Sequence, residues 1–323
     1  MLQGGMALAI PLPGQAAEPA GLTLGLIAPT SEEQTITGWR PLADALGQEL
    51  RMPVKMVASK NYAQISDALM EGRVQVAWLN NVLAINAVEK DESQIFAQMV
   101  RLDGQNGYKS VLLARKDGPL RALEGVLSKP GAYSLGLADR KSTSGFLVPS
   151  YYIFSKNKID PDKHFSRIVH GSHRDNFLAV AEGKVDLAIN NTEDMALFRA
   201  EFPEKYAALR VIWESPLIPG DPLLMRKDLP AVTKEKIRKF ILAYGRNDTE
   251  KSTLKAIKML SGFKASSNYQ LRPVADLVLF ENLSKAMGAQ KSDPEKFAAT
   301  MDGLQKRAAR LDAVLNASRL GTP

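Results

Sequence analysis

Cysteine is absent from the 323 residues, and no apolar run approaches the ~18 residues that a membrane-spanning helix needs. Without cysteine the chain has no disulfides, thiolate nucleophiles or thiolate metal ligands. We also find no Walker P-loop, Gly-x-Ser-x-Gly elbow, His-Glu-x-x-His or dinucleotide fingerprint. The composition that remains, 45% hydrophobic and 24% charged, is that of a folded protein of about two domains.

The formal net charge of +7 invites a nucleic-acid or anion-binding interpretation. Residues 231–323 hold 17 basic and 9 acidic side chains, whereas the preceding part of the chain is close to neutral. The lysines in this stretch, such as Lys251, Lys255 and Lys258, stand at helical spacing, which predicts a solvated helix face. Because aromatic residues that could stack on bases are sparse among them, nucleic acid is not an expected partner.

The first 20 residues combine an apolar run at 6–12 with the small residues of 14–20. This pattern is typical of a secretory signal and its cleavage site, although the basic leader is lacking, as in a truncated start. A disordered tail is the alternative. We expect an exported protein whose folded part begins near residue 21.

From residue 22 onward, short strand-like runs alternate with helical stretches. Strands are predicted at residues 22–26, 54–57, 74–78, 134–138, 185–189 and 209–213. Helices with apolar residues three or four apart are predicted at 39–50, 62–71 and 82–89. Because strands separated by single helices form parallel sheets, the predicted fold class is α/β.

A helix–strand unit occurs twice, since residues 68–77 match residues 179–188 in the pattern Ala-x-x-Glu-Gly-[Arg/Lys]-Val-x-[Val/Leu]-Ala. Gly72 and Gly183 are expected to end each helix in the left-handed conformation. Each copy is preceded by an expected helix cap and a polar aromatic residue: Asn61 and Tyr62 in the first copy, Ser172 and His173 in the second. Chance similarity is the alternative; a true repeat predicts two like lobes with a cleft between them.

The three histidines, His164, His170 and His173, raise the question of a metal site. Their spacing matches no common zinc signature, and no cysteine is available as a fourth ligand. His170 is expected to end a strand and His173 to begin a helix, so their rings need not face one point. We expect neither a metal nor a cofactor.

Three hydroxyl residues, Ser142, Thr143 and Ser144, stand at an expected helix start. Free backbone N–H groups and the positive end of the helix dipole favour an anion there, although helix capping alone explains one hydroxyl. Two acidic residues, Glu193 and Asp221, fall in predicted loops. They are candidates for ligand binding, and solvated turn residues are an equally good interpretation. An anion site with two carboxylates nearby indicates a zwitterionic ligand that carries an amine.

Three segments resemble the phosphonate-binding proteins of bacterial phosphonate ABC importers: residues 141–152, 188–193 and 211–222. The similarity runs from about Leu22 to about Phe280, and the Ser-Pro-Leu-Ile-Pro-Gly-Asp-Pro run at 215–222 is specific. The resemblance implies a periplasmic receptor with the two-lobed type II periplasmic-binding-protein fold. Such a receptor closes on its ligand and delivers it to a membrane permease.

The resemblance also implies the ligand contacts and the division into lobes. The phosphonate oxygens would be held by Ser142, Thr143, Ser144, Tyr62, Tyr108 and His173. Glu193 and Asp221 would pair with the amine of 2-aminoethylphosphonate. Lobe 1 would comprise residues 21–112 and 216–280, lobe 2 residues 113–215, and a C-terminal helical extension residues 281–323.

Two segments depart from the family pattern. Leu79 and Asn80 follow Trp78 where an aromatic-glycine pair is expected, and residues 170–172 differ just before His173. Phosphite or another small oxyanion is the alternative ligand. A phosphonate-processing enzyme with His173 as its base is disfavoured, because no nucleophile or metal cluster accompanies that histidine.

The C-terminal stretch contains a predicted helix start at residues 292–294. An apolar stripe follows at Phe297, Met301, Leu304, Ala308, Leu311 and Leu315. We expect this stripe to pack on its own domain, and a homodimer formed through the helix is the alternative.

Overall fold

The computed structural model describes residues 21–29, 31–289 and 294–319. The predicted signal or tail at 1–20, and residues 292–293 of the predicted helix start, lie outside these ranges. The strands are β1 (Leu22–Ile27), β2 (Val54–Ser59), β3 (Val76–Trp78), β4 (Ser93–Arg101), β5 (Gly107–Tyr108), β6 (Ser110–Arg115), β7 (Ser134–Leu137), β8 (Arg167–His170), β9 (Leu187–Asn191), β10 (Leu209–Glu214), β11 (Ile218–Pro219), β12 (Pro222–Arg226) and β13 (Leu260–Ala265).

Helices cover both sheets, so the α/β fold class that the sequence predicts is confirmed. The α-helices are α1 (Glu32–Leu50), α2 (Tyr62–Met70), α3 (Asn81–Glu89), α4 (Leu123–Leu127), α5 (Pro161–His164), α6 (His173–Ala181), α7 (Thr192–Glu201), α8 (Pro203–Ala207), α9 (Ala231–Ala243), α10 (Asp248–Lys258), α11 (Arg272–Ala289) and α12 (Pro294–Ala317). Two π-helical segments, Thr143–Leu147 and Ser150–Phe154, follow β7. No helix among these is long and apolar enough to cross a membrane.

The six-stranded sheet has the order β13-β4-β12-β3-β1-β2, and the five-stranded sheet has the order β10-β6-β9-β7-β8. Strands connected through helical segments run parallel, as predicted: β1 with β2 and β3, and β7 with β8 and β9. Antiparallel pairs, which the sequence pattern does not predict, are formed by β4, β6, β10, β12 and β13. Several of these strands adjoin the points where the chain passes between sheets.

We call the six-stranded sheet with α1, α2, α3, α9 and α10 the six-stranded lobe. The five-stranded sheet with α4 to α8 is the five-stranded lobe. Trp39, Leu42 and Leu46 on the buried face of α1 belong to the core of the first lobe. In the second lobe, successive residues of β6 face opposite sides of the sheet, with Leu112 in one hydrophobic cluster and Val111 in the other.

The internal repeat is confirmed at its helix ends. Asn61 caps α2 and Ser172 caps α6, each through a side-chain oxygen that accepts a backbone N–H. Gly72 and Gly183 follow these helices with φ of +77° and +71°, as predicted. Each lobe therefore contains the same helix–turn–strand unit, and each unit begins its helix at the same end of its sheet.

The C-terminal helix α12 packs on its own chain. Leu311 and Leu315 are buried, and the other residues of the predicted stripe are half-buried. Arg307 and Arg310 both pair with Glu89 of α3. A homodimer through this helix stays a prediction. The predicted lobe boundaries also stay predictions, and those at 112/113 and 280/281 fall inside β6 and α11.

The chain crosses between the lobes twice, from β4 through β5 to β6 and back from β10 through β11 to β12. Strands β5 and β11 pair with each other, Tyr108 opposite Ile218 and Gly107 opposite Pro219. A Cβ added at Gly107 would lie 2.1 Å from the carbonyl oxygen of Ile218. The absence of a side chain at Gly107 therefore lets the two crossings approach each other, and Tyr108 and Asp221 lie where they meet.

We predict that Gly107→Ala destabilises the protein by about 1–3 kcal/mol, because the added methyl group forces the crossing strands apart. Urea unfolding measures this difference. Gly118→Ala is the matched control, since its Cβ would meet its nearest neighbour at 3.5 Å, an ordinary contact. Equal midpoints for the two variants would contradict the close approach.

Candidate functional site

A small cavity lies between the two lobes. Seven of the eight residues predicted to contact ligand line it: Tyr62, Tyr108, Ser142, Thr143, Ser144, His173 and Asp221. Other lining residues include Asn80, Asn191, Asp194 and Lys258. The roles of these side chains toward a ligand stay predictions.

Helical segments from both lobes begin at this cavity. Their caps are Asn61 before α2, Asn80 before α3, Ser142 before the first π-helical segment, Ser172 before α6 and Asn191 before α7. Helix N-termini carry a partial positive charge and N–H groups that lack partners within the helix. The convergence of these segments therefore makes one region of the cavity favourable for an anion.

The three hydroxyl residues of the turn differ in what they bind within the protein. The Ser142 hydroxyl accepts a hydrogen bond from the Gly145 N–H at 3.1 Å, which is ordinary helix capping. The Thr143 hydroxyl accepts from the Val82 N–H of the other lobe at 3.1 Å. Ser144 lines the cavity, and its main-chain carbonyl accepts from Ser110 Oγ at 2.7 Å. Ser142 therefore caps its own helical segment, and Thr143 satisfies a first-turn N–H of α3 in the other lobe.

His173 begins α6 with its imidazole buried against the turn. Its carbonyl accepts from Asn190 Nδ2 at 2.8 Å, and its Nδ1 has no hydrogen-bond partner within the described chain. Burial lowers the pKa of His173, so the ring is neutral at neutral pH. A Cβ at Gly145 would lie 2.9 Å from His173 Cε1, which shows how closely the turn and this ring pack.

Asp221 lies in the short link between β11 and β12 and is buried. Tyr108 Oη donates to its Oδ1 at 3.0 Å, and Trp78 Nε1 donates to its Oδ2 at 3.1 Å. Burial raises the pKa of Asp221 to about 7 even though Lys258 lies nearby. Burial also raises the pKa of the Tyr62 and Tyr108 phenols, so both remain protonated, and the Tyr108 proton is the one donated to Asp221.

Glu193 and Asp194 occupy the first turn of α7 rather than a loop. Asn191 fixes Asp194, accepting from its N–H at 2.8 Å and donating to its Oδ2 at 2.7 Å. Glu193 Oε1 and Asp194 Oδ1 are buried and accept no hydrogen bond from any described residue. Glu193 does not line the cavity. Its carboxylate contacts Lys258, which does line the cavity.

Lys258 is a site residue that the sequence interpretation missed. Its Nζ lies 2.8 Å from Glu193 Oε2, 3.7 Å from Asp194 Oδ1 and 5.4 Å from the centre of the Trp78 ring. The residue is only 6% exposed, so its predicted place on a solvated helix face is wrong. Burial opposes protonation of Lys258, but the surrounding carboxylates raise its pKa above the ordinary value.

The sequence does contain a signal for this burial. Leu254, Ile257 and Lys258 stand at i, i+3 and i+4 of α10, and Leu254 and Ile257 form its buried face. A lysine at such a position is buried only with a partner of opposite charge. Its partners are Glu193 and Asp194, more than sixty residues earlier in the chain, so sequence spacing alone does not identify them.

Asn80, one of the departures from the family pattern, is a contact between the lobes. Its side-chain oxygen accepts from the Leu83 N–H and so caps α3, while its Nδ2 donates to the Lys141 carbonyl at 3.0 Å. Leu79 beside it is buried in the core. The departure at 79–80 therefore adds a hydrogen bond across the cavity wall.

The other two histidines each contact a different main-chain carbonyl. His164 Nε2 lies 3.1 Å from the Val126 carbonyl, and His170, which ends β8 as predicted, places Nδ1 3.3 Å from the Ala138 carbonyl. Within the described ranges, no group of three or more His, Cys, Asp or Glu residues is arranged to hold a metal ion.

Comparison with known proteins confirms the type II periplasmic-binding-protein fold that the resemblance implies. Residues 24–271 match the family described as "ABC transporter, phosphonate, periplasmic substrate-binding protein". The "Phosphonates-binding periplasmic protein" of Escherichia coli (strain K12) is 38% identical over 297 residues, which is 92% of this chain and 87% of that protein.

Solved structures give the same result. The binding component of an ABC phosphonate transporter from Pseudomonas aeruginosa is 37% identical, with a TM-score of 0.82 over 93% of this chain and 99% of that one. PhnD1 from Prochlorococcus marinus, solved with methylphosphonate, shares the fold at 19% identity, with a TM-score of 0.72 over 80% of this chain and 97% of that one. These relatives are binding components of importers rather than enzymes. The chain belongs to the family of periplasmic phosphonate-binding proteins, the receptors of phosphonate ABC importers.

Proposed function

We propose that this receptor binds 2-aminoethylphosphonate in the interlobe cavity and delivers it to its membrane permease. The phosphonate group lies against Ser142, Thr143 and Ser144, and the ammonium group lies toward Glu193 and Asp221. Tyr62, Tyr108 and His173 complete the contacts with the ligand. The observation that carries the proposal is the uneven distribution of charge around the cavity, which is lined both by the neutral hydroxyls of the turn and by the buried acids Asp194 and Asp221.

The hydroxyl turn supports the phosphonate half of the proposal. Hydroxyls, phenols, a neutral imidazole and helix N-termini surround one region of the cavity. Phosphonate oxygens accept several hydrogen bonds at once, and bonds to charged groups contribute roughly 1.5–3 kcal/mol each. Neutral donors from both lobes therefore bind the anion most strongly when the lobes are closed, and they lose these contacts when the lobes separate.

The buried acids support the amine half. Asp194 and Asp221 line the cavity, Glu193 is buried beside Lys258, and Lys258 is the charged basic side chain among the described residues that line the cavity. Glu193 Oε1 and Asp194 Oδ1 lack hydrogen-bond donors. A buried carboxylate oxygen without a donor is costly even when the other oxygen is paired, so a ligand ammonium that reaches these oxygens supplies the missing partner. An amine-free ligand leaves these oxygens without a partner.

Two relatives define the comparison ligands. The Prochlorococcus structure contains methylphosphonate, and a Mycolicibacterium smegmatis protein, 25% identical over 62% of this chain and 65% of its own length, is named a phosphate-import protein. Methylphosphonate keeps the phosphonate group and lacks the amine, whereas phosphate lacks the carbon substituent as well. Together they separate recognition of the anion from recognition of the tail.

Calorimetry on the wild type should rank 2-aminoethylphosphonate above methylphosphonate and phosphate. Asp221→Asn and Glu193→Gln should each weaken 2-aminoethylphosphonate by about tenfold or more while changing methylphosphonate little, because they remove a carboxylate from the ammonium. Asp248→Asn, at an exposed position of α10, is the matched control. Equal affinity for all three ligands would refute the amine contact.

Ser144→Ala should weaken 2-aminoethylphosphonate and methylphosphonate equally, by roughly 10- to 100-fold, because both lose one hydrogen bond to a charged oxygen. Ser252→Ala, exposed on α10, serves as the control in the same calorimetric titrations. Full affinity in Ser144→Ala would place the anion elsewhere in the cavity.

Binding should also move a proton at Asp221. Its pKa of about 7 means that roughly half of the unliganded molecules hold this proton at pH 7. A ligand ammonium favours the ionised carboxylate, so 2-aminoethylphosphonate should expel the proton and bind better, relative to methylphosphonate, as pH rises through 7. Methylphosphonate brings only negative charge and should favour proton uptake.

Binding enthalpies measured at pH 7 in buffers of different ionisation enthalpy give this proton balance. The readout is the wild-type value minus that of Asp221→Asn, which removes the contribution of the ligand's own phosphonate group. The same difference for both ligands would show that Asp221 does not sense the amine.

A further inference from the structure

Lys258 connects the two lobes. It is the last residue of α10 in the six-stranded lobe, and its partners Glu193 and Asp194 begin α7 in the five-stranded lobe. The Nζ–Oε2 distance to Glu193 is 2.8 Å, and both side chains are almost fully buried. Lys258 therefore forms an ion pair across the cleft.

The surroundings of Lys258 hold its ammonium in place. A helix C-terminus favours a cation, and the face of the Trp78 ring lies beside the ammonium, 5.4 Å from the ring centre to Nζ. Trp39 stacks on Trp78 with the ring centres 5.6 Å apart. Trp78 also donates from Nε1 to Asp221, so the acid proposed for the ligand amine and the ammonium of Lys258 share one indole.

We propose that Lys258 is a specificity-determining residue whose ammonium competes with the ligand's ammonium for Glu193. It thereby lowers the receptor's preference for amine-bearing over amine-free phosphonates. This inference rests on the proposed function, in which Glu193 and Asp221 receive the amine.

The competition follows from charge and space. Two ammonium groups near one carboxylate repel each other, and at a separation of ~4 Å that repulsion is large even with the screening usual in proteins. Asp194 and Asp221 line the cavity and Glu193 is buried next to it, so the three acids carry more negative charge than Lys258 neutralises; binding of the ligand amine is therefore weakened rather than excluded. The surrounding carboxylates raise the pKa of Lys258, which keeps this competitor charged at neutral pH.

Lys258→Met tests the inference, because methionine keeps much of the length of the side chain and removes the charge. The measured quantity is the Kd of methylphosphonate divided by the Kd of 2-aminoethylphosphonate, from calorimetry on the full chain. We expect this ratio to rise about tenfold or more in Lys258→Met. Lys255→Met, exposed on the same helix, should leave it at the wild-type value.

Two further variants make the result independent of folding in one of them. Lys258→Gln also lacks the charge and should raise the ratio, whereas Lys258→Arg keeps the charge and should leave the ratio near that of the wild type. A ratio that stays level or falls in both neutral variants, while methylphosphonate still binds, would overturn the inference and assign Lys258 to holding Glu193 in position.

The same titrations separate this inference from the proposed function. A wild type without amine preference, together with neutral variants that gain one, would support the role of Lys258 and refute 2-aminoethylphosphonate as the preferred ligand. A wild type that binds neither phosphonate would overturn both.

Discussion

The burial of three carboxylates beside one small cavity is the constraint on which the rest of the site depends. Taking a carboxylate out of water is costly unless donors or cations replace the water. Asp221 receives donors from Tyr108 and Trp78, Asp194 from Asn191, and Glu193 the ammonium of Lys258. Asn191 lies on the same turn as Asp194, whereas Lys258 belongs to the other lobe, so Glu193 is paired only when both lobes are in place.

The double crossing between the lobes provides that arrangement. Tyr108 lies on the outward crossing and Asp221 on the returning one, and the pairing of β5 with β11 holds the two crossings together. Segments that begin in each lobe, α2 and α3 on one side and the π-helical turn, α6 and α7 on the other, complete the cavity. The two crossings between the lobes thus also form one wall of the cavity.

What the sequence could predict is the part that local chemistry decides. Gly72 and Gly183 adopt a left-handed φ, and Asn61 and Ser172 cap the helices before them. These local features predict the repeated unit from sequence alone. The position of Lys258 was not readable, because its burial depends on a pairing with α7 that no local pattern encodes. The antiparallel strands could not be predicted for the same reason, because their direction is set by how the chain returns from the other lobe.

The net charge of +7 favours an anionic ligand, yet it contributes little positive charge to the cavity. Lys258 comes from the basic C-terminal third, but its ammonium faces Glu193 and Asp194, so its charge is used on the protein's own acids. Arginine would bind a phosphonate through bidentate charge-assisted bonds, which are strong in either lobe alone. Hydroxyls and helix N-termini contributed by both lobes act together only in the closed cleft. Opening therefore weakens binding steeply, which suits a receptor that must release its ligand to a permease.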